Sequence, residues 1–226
     1  MLLLASDRWK LAYPGAVVGA IAVSGVANPE SSPSLDARKE SLESQLRSQY
    51  ASHTRNQLKS QPSLQPYVEY YGRYGKTYHL QLQLESVVFK GKTIPRVAAL
   101  VEAMFMAELS NLILTAGHDL DLVQGQVGVD VAAGGEEYVT LSGQAQALKQ
   151  DDMFICDGSG ILSSVLYGPD HRTRITPATR RALFTTYAPS GIGLQRVQAH
   201  FDDLLANILT FAPHAQVEDV TAIVAG

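Results

Sequence analysis

The sequence predicts an α+β domain, with helices crowded into the first half and short strands into the second. Three patterns lead there. A β-branched run, Val17, Val18, Ile21, Val23 and Val26, lies between the turn signals Pro14-Gly15 and Asn28-Pro29 and has the character of a buried strand. Helical segments then occupy most of residues 35–115. From Gly125 onward short apolar segments at 127–131, 138–141, 153–156, 161–167 and 183–187 alternate with Gly134-Gly135, Ser142-Gly143 and Asp157-Gly158, the spacing expected of a sandwich-like pair of sheets.

Within the helical half, residues 30–34 form a loop whose last serine, Ser34, is placed to cap a polar helix over 35–61 carrying Leu35, Leu42, Leu46 and Tyr50. Gln61-Pro62-Ser63 ends it. The tyrosine-rich stretch 67–78 follows, with Arg73 and Lys76 interleaved. It is either a base-stacking, phosphate-contacting surface or a short helix with tyrosines packed on the core and hydroxyls at the surface. Lys90-Gly91-Lys92-Thr93 lacks the first glycine of a phosphate loop and follows a helix, not a strand, so it is set aside. A long apolar helix is expected over 97–115, with Gly117 as its left-handed cap. An amphipathic helix over 194–211 carries Val197, Phe201, Leu204, Leu205, Ile208 and Leu209, and residues 217–224 close as an edge strand.

Composition narrows the function classes. The chain has 226 residues, the length of one large domain, and its formal net charge of −4 leaves any nucleic-acid surface to a local basic patch. A single cysteine, Cys156, excludes an internal disulfide and a thiolate zinc cluster, which favours the reducing cytoplasm. The apolar start at 1–4 meets Ser6, Asp7 and Arg8 too soon for a signal-peptide core, and the apolar run 16–26 is too short and glycine-broken to span a bilayer. No membrane association is expected.

Taken in order, Tyr71-Gly-Arg-Tyr-Gly75, Lys90-Gly-Lys-Thr-Ile-Pro-Arg96, Gly117-His-Asp-Leu-Asp121 with Gly125, Asp157-Gly-Ser-Gly-Ile161 and Ile175-Thr-Pro-Ala-Thr-Arg-Arg-Ala-Leu-Phe184 form a familiar set. The chain resembles the B3/B4 domain family, found inside the phenylalanyl-tRNA synthetase beta subunit and as free-standing proteins; a related domain occurs in the tRNA-lysidine synthetase family. The likeness spans about residues 10–211 of a single domain over 1–226, with 212–226 as an extension or edge strand. It implies a layered β-sandwich of unusual topology with flanking helices, tRNA or aminoacyl-tRNA as partner, and an editing pocket. A free-standing copy resembles a deacylase acting in trans on mischarged tRNA, with no ligase activity of its own; the alternatives are a non-catalytic tRNA-binding module or an amino-acid-binding protein using the same cavity.

An aminoacyl ester is already activated, so its hydrolysis needs a positioned water, a group to orient it and donors near the developing oxyanion, and no protein nucleophile or cofactor. Accordingly Gly158-Ser159-Gly160-Ile161 is not a GxSxG elbow, and Cys156 has the setting of a structural thiol. The turn Asp157, Gly158, Ser159, Gly160 offers backbone amides and a hydroxyl to a ligand, or is a plain hairpin turn. His118, with Asp119 and Asp121, either orients a water or holds a substrate ammonium, or is a polar helix end; a metal is not expected there. By the resemblance, the synthetase's pocket histidine falls on Ala116, two positions before His118, and its tyrosine-recognising glutamate falls on Thr185, next to Thr186. A hydroxyl in place of a carboxylate changes which side chain such a pocket rejects. Arg172, Arg174, Arg180 and Arg181 form the densest basic group and are phosphate-contact candidates or a solvated loop. Arg96 either enters the pocket or pairs with a carboxylate.

Overall fold

A computed structural model describes residues 3–226, so Met1 and Leu2 of the apolar start lie outside it. Its layers are set by two sheets. One is five-stranded, in the order β1 (Leu3–Ala5), β4 (Val127–Val131), β7 (Met153–Asp157), β8 (Gly160–Ser164), β9 (Gly168–Pro169), with β1 parallel to β4 and the other pairs antiparallel. The other is a four-stranded antiparallel sheet, β11 (Gln216–Val224), β2 (Val17–Ser24), β10 (Arg181–Ala188), β3 (Leu114–Asp119). A small hairpin, β5 (Glu137–Val139) with β6 (Ala145–Ala147), stands apart.

The predicted α+β class holds, and so do the β-branched strand β2 and the closing edge strand β11. Because side chains alternate along a strand, β10 serves two layers. Its Thr186 shares a face with Gly19, where an added Cβ would meet Val197 and Phe201 of α7 (Leu194–Leu209) at 2.8 Å. Tyr187 points the other way and reaches Ser163 of β8, oxygen to oxygen 2.6 Å. One face of the four-stranded sheet is therefore covered by helices and the other by the second sheet.

Three helical expectations are corrected. The polar helix α2 runs Pro33–Gln49, capped by Ser32, whose hydroxyl accepts the Leu35 amide; Ser34 instead donates to the Thr210 carbonyl. The remainder restarts as α3 (Arg55–Lys59), because Thr54 and Gln57 form a reciprocal capping box. The apolar helix α6 (Ala99–Asn111) stops early: Leu112 takes the left-handed conformation, φ 58°, and a side-chain oxygen of the buried Glu108 accepts the Thr115 amide. Thr115 and Gly117 thus lie in β3. Gly117 serves packing rather than a cap: a Cβ there would sit 2.8 Å from Ile175 Cδ1 and 3.2 Å from the Phe184 ring, so one of these side chains would have to move.

The tyrosine stretch resolves as α4 (Gln65–Gly72), and its tyrosines are core residues. Tyr67, Tyr70 and Tyr71 are buried, as is Tyr78 ahead of α5 (His79–Lys90). None of these hydroxyls is at the surface: those of Tyr67, Tyr70 and Tyr71 find backbone or side-chain partners in or beside the sheets, whereas that of Tyr78 is buried without one among the described residues. Tyr67 donates to the Tyr187 carbonyl at 2.6 Å and accepts the Leu114 amide at 3.1 Å. Tyr70 donates to Asp152 and accepts the Met153 amide at 2.7 Å, and Tyr71 donates to the Val165 carbonyl. α4 thus ties together β3, β7, β10 and the chain just after β8, all at one end of the sheet pair. Tyr67→Phe keeps the ring and leaves two backbone groups unpartnered, so urea unfolding should show a loss of about 1–3 kcal/mol, with no change in fold by circular dichroism.

Candidate functional site

The strand ends farthest from the tyrosines, the C-terminal ends of β3 and β7 and the start of β10, carry the residues singled out in the sequence. His118 lies in β3 opposite Leu183 and is fully buried. Its Nδ1 is 2.8 Å from Thr173 Oγ1 and 3.8 Å from Asp170 Oδ1. Thr173 donates both its hydroxyl and its amide to Asp170 Oδ1. Burial would raise the Asp170 carboxyl, but the neighbouring His118 ring and the bonds from Thr173 outweigh that and hold it below its ordinary value. Nε2 of His118 is buried with no hydrogen-bond partner among the described residues.

Arg172 links this group to the hairpin turn. Its guanidinium donates to Asp157 Oδ1 at 2.9 Å and to the Leu122 carbonyl at 2.9 Å, and lies 3.6 Å from Asp170 Oδ2. Asp157 also accepts the Ser159 amide and the Gln124 amide, each at 2.8 Å. The Gly158 amide donates to the Gln124 carbonyl at 2.7 Å, and Ser159 Oγ donates to Gln124 Oε1 at 2.6 Å. Gly158 is needed for that approach, as a Cβ would lie 3.0 Å from the Gln124 oxygen. Asp157, Gly158, Ser159 and Gly160 therefore form the two-residue hairpin, with the 158 and 159 amides already engaged by the chain. Ser159 and Gly160 are exposed whereas His118 is buried, so His118 and Ser159 do not face a common cavity; Asp170, Arg172 and Asp157 connect them.

The cluster His118, Asp119, Asp121 is dispersed, because His118 and Asp119 point to opposite faces of β3 and Asp121 lies beyond the strand in a 3-10 turn. Asp119 accepts the Thr179 hydroxyl at 2.6 Å, and Asp121 pairs with Arg181 at 2.7 Å. Among the described residues no group of three or more His, Cys, Asp or Glu is arranged to hold a metal ion. Thr185 and Thr186 separate in the same way. Thr185, opposite Ala116, shares the inward face with His118 as its diagonal neighbour, while Thr186 faces α7; each hydroxyl is buried and unpartnered.

The four arginines differ sharply. Arg172 is engaged as described, and Arg181 is held by Asp121 and by Glu218 of β11 at 2.6 Å. Arg174 and Arg180 are exposed; Arg174 bonds the carbonyl and ring of His171, and Arg180 bonds the carbonyls of Pro177 and Thr179. Arg96 pairs with Asp36 of α2 at 3.1 Å, outside this cluster. Cys156 is half-buried in β7, and burial raises its thiol. Two surface grooves lie elsewhere: a polar one of about 410 Å³ between α2, α6 and α7, and an apolar one of about 280 Å³ between α5, α6 and residues 92–95.

Asp170, Thr173 and Gln124 were not singled out from the sequence. The available signal was local: Asp170 and Thr173 flank Arg172 at the spacing of an Asp side chain closing onto a backbone amide three residues on.

The family described as the B3/4 domain matches residues 67–201, which contain β3, the hairpin turn, Asp170 to Thr173 and β10. The chain belongs to the B3/4 domain family. Among curated proteins none matches. Among solved structures, an N-terminal fragment of the phenylalanyl-tRNA synthetase beta subunit from Pyrococcus horikoshii is similar at a TM-score of 0.49 and 9% identity over 97% of this chain, which spans about half (53%) of that one. No helix among the described residues is long and apolar enough to cross a membrane.

Asp157→Ala strips three donors of their acceptor and should cost about 1–3 kcal/mol in chemical denaturation, discounted for the partial exposure of Arg172. The exposed ion pairs of Arg181 are screened by solvent, and Arg181→Ala should stay within about 1 kcal/mol of the parent.

Proposed function

We propose that this B3/4-domain protein acts on aminoacyl-tRNA, hydrolysing the ester of a mischarged tRNA in trans. The observation that carries the reading is His118: a buried ring held at one nitrogen by Thr173 and Asp170, with the other nitrogen unpartnered on the face it shares with Thr185. An imidazole oriented at one nitrogen and bare at the other is the arrangement of a general base, and an activated ester needs little more than a water so oriented. Family membership and the ordered motifs shared with the synthetase editing domain support tRNA as the partner. With a net charge of −4, tRNA is met by local cations; Arg174 and Arg180 have no carboxylate partner among the described residues and suit phosphate contacts better than Arg172 or Arg181. Thr185 in the place of a recognising carboxylate favours a side chain other than tyrosine as the one rejected.

A second reading, tRNA binding without hydrolysis, is favoured by the complete burial of His118. A panel of mischarged tRNAs separates the two. The wild-type protein should release at least one amino acid above background, and His118→Ala should slow that release by about 100-fold or more. Measurable tRNA binding with no release from any member of the panel would sink the deacylase and leave the binding module.

A further inference from the structure

The hydroxyl of Thr173 has one proton to give. Asp170 Oδ1 already accepts the Thr173 amide, and the Thr173 hydroxyl stands closer to that oxygen than to any other acceptor. That proton therefore goes to Asp170, and the oxygen of Thr173 is left to accept. Its neighbour at 2.8 Å is Nδ1 of His118, which must then be the donor. The neutral ring consequently carries its proton on Nδ1 and its lone pair on Nε2. Nε2 is buried and unpartnered on the face of the sheet where the Thr185 hydroxyl is also unpartnered.

We infer that Thr173, itself locked by Asp170, is a positioning residue that sets the tautomer of His118 and so makes Nε2 the proton acceptor. The inference rests on the deacylase reading for its catalytic consequence. In that reaction a water oxygen attacks the ester carbonyl and forms the new C–O bond. The water proton passes to Nε2 while Nδ1–H continues to donate to Thr173. The ribose oxygen leaves with the electrons of the broken C–O bond and takes the proton from Nε2. Carboxylic acid and free 3′ end are the products, and no oxidant or cofactor is required. Arg172 joins Asp170 to Asp157, so the hairpin turn and the histidine are held in one frame.

Long-range ¹H–¹⁵N correlation spectra of the histidine rings report the tautomer directly, with His118 assigned by comparison with His118→Gln. In the wild type His118 should show a protonated Nδ1 and a bare Nε2. Thr173→Val keeps the shape and removes the acceptor; it should move the ring toward the Nε2–H form, and Thr173→Ser should restore the wild-type pattern. With a mischarged tRNA as substrate, Thr173→Val should lower kcat by about 100-fold or more with KM changed by no more than about threefold, and Thr173→Ser should recover it. A wild-type His118 already protonated on Nε2, or ring shifts unchanged by Thr173→Val in a folded variant, would overturn the inference. Absence of hydrolysis by the wild type bears on the deacylase reading alone, because the ring shifts decide the tautomer without any substrate.

Discussion

One phenol fixes the geometry on which everything else depends. Tyr67 lies between two strands of the four-stranded sheet, accepting the amide of Leu114 in β3 and donating to the carbonyl of Tyr187 in β10. Tyr187 in turn crosses to Ser163 of the other sheet. Tyr70 and Tyr71 add bonds to Asp152, Met153 and Val165, so a two-turn helix anchors both sheets at one end. In a buried, low-dielectric setting such bonds are costly to leave unmade, which fixes the register of β3 against β10. That register puts His118 beside Leu183 and diagonal to Thr185.

Polar chemistry is then confined to the opposite end. Acceptors dominate there: Asp157, Asp170, Asp119 and Asp121 each hold donors from a neighbouring segment, and two of the four arginines are neutralised in doing so. On the inner face near this end the His118 Nε2 and the Thr185 hydroxyl are buried without partners; among the described residues Tyr78, Asp152, Thr186, His53 and His200 also have a buried unpartnered atom, and what sets His118 apart is the Asp170–Thr173 pair behind it. Buried polar groups are rarely left this way, and when they are, a role outside structure is the natural place to look.

How much of this was legible depended on whether the signal was local. Strand β2 announced itself through β-branching and flanking turns, α7 through its apolar period, and the hairpin at Asp157 through its glycines. The left-handed stop at Leu112 was not legible, because φ 58° is a conformation that glycine or asparagine ordinarily marks and leucine does not. That missed stop made Gly117 look like a cap and hid the fact that His118 and Asp119 point to opposite faces of a strand. The tyrosines were visible as a cluster, yet the sheet partners of the Tyr67, Tyr70 and Tyr71 hydroxyls are more than 40 residues away in sequence. Thr173 and Asp170 escaped for the same reason, since what distinguishes them is a contact to His118 more than 50 positions earlier.

On the proposed function, the aminoacyl end of a tRNA binds at the polar end of the sheet pair, away from the tyrosine anchor. Hydrogen–deuterium exchange with a tRNA bearing an amide-linked, non-hydrolysable amino acid, compared with the same tRNA uncharged, tests it most directly. Extra protection from the amino acid is expected at residues 116–119, 157–159 and 170–173, with none added at 67–78. Identical protection by the two tRNAs, or added protection confined to 67–78, would contradict it.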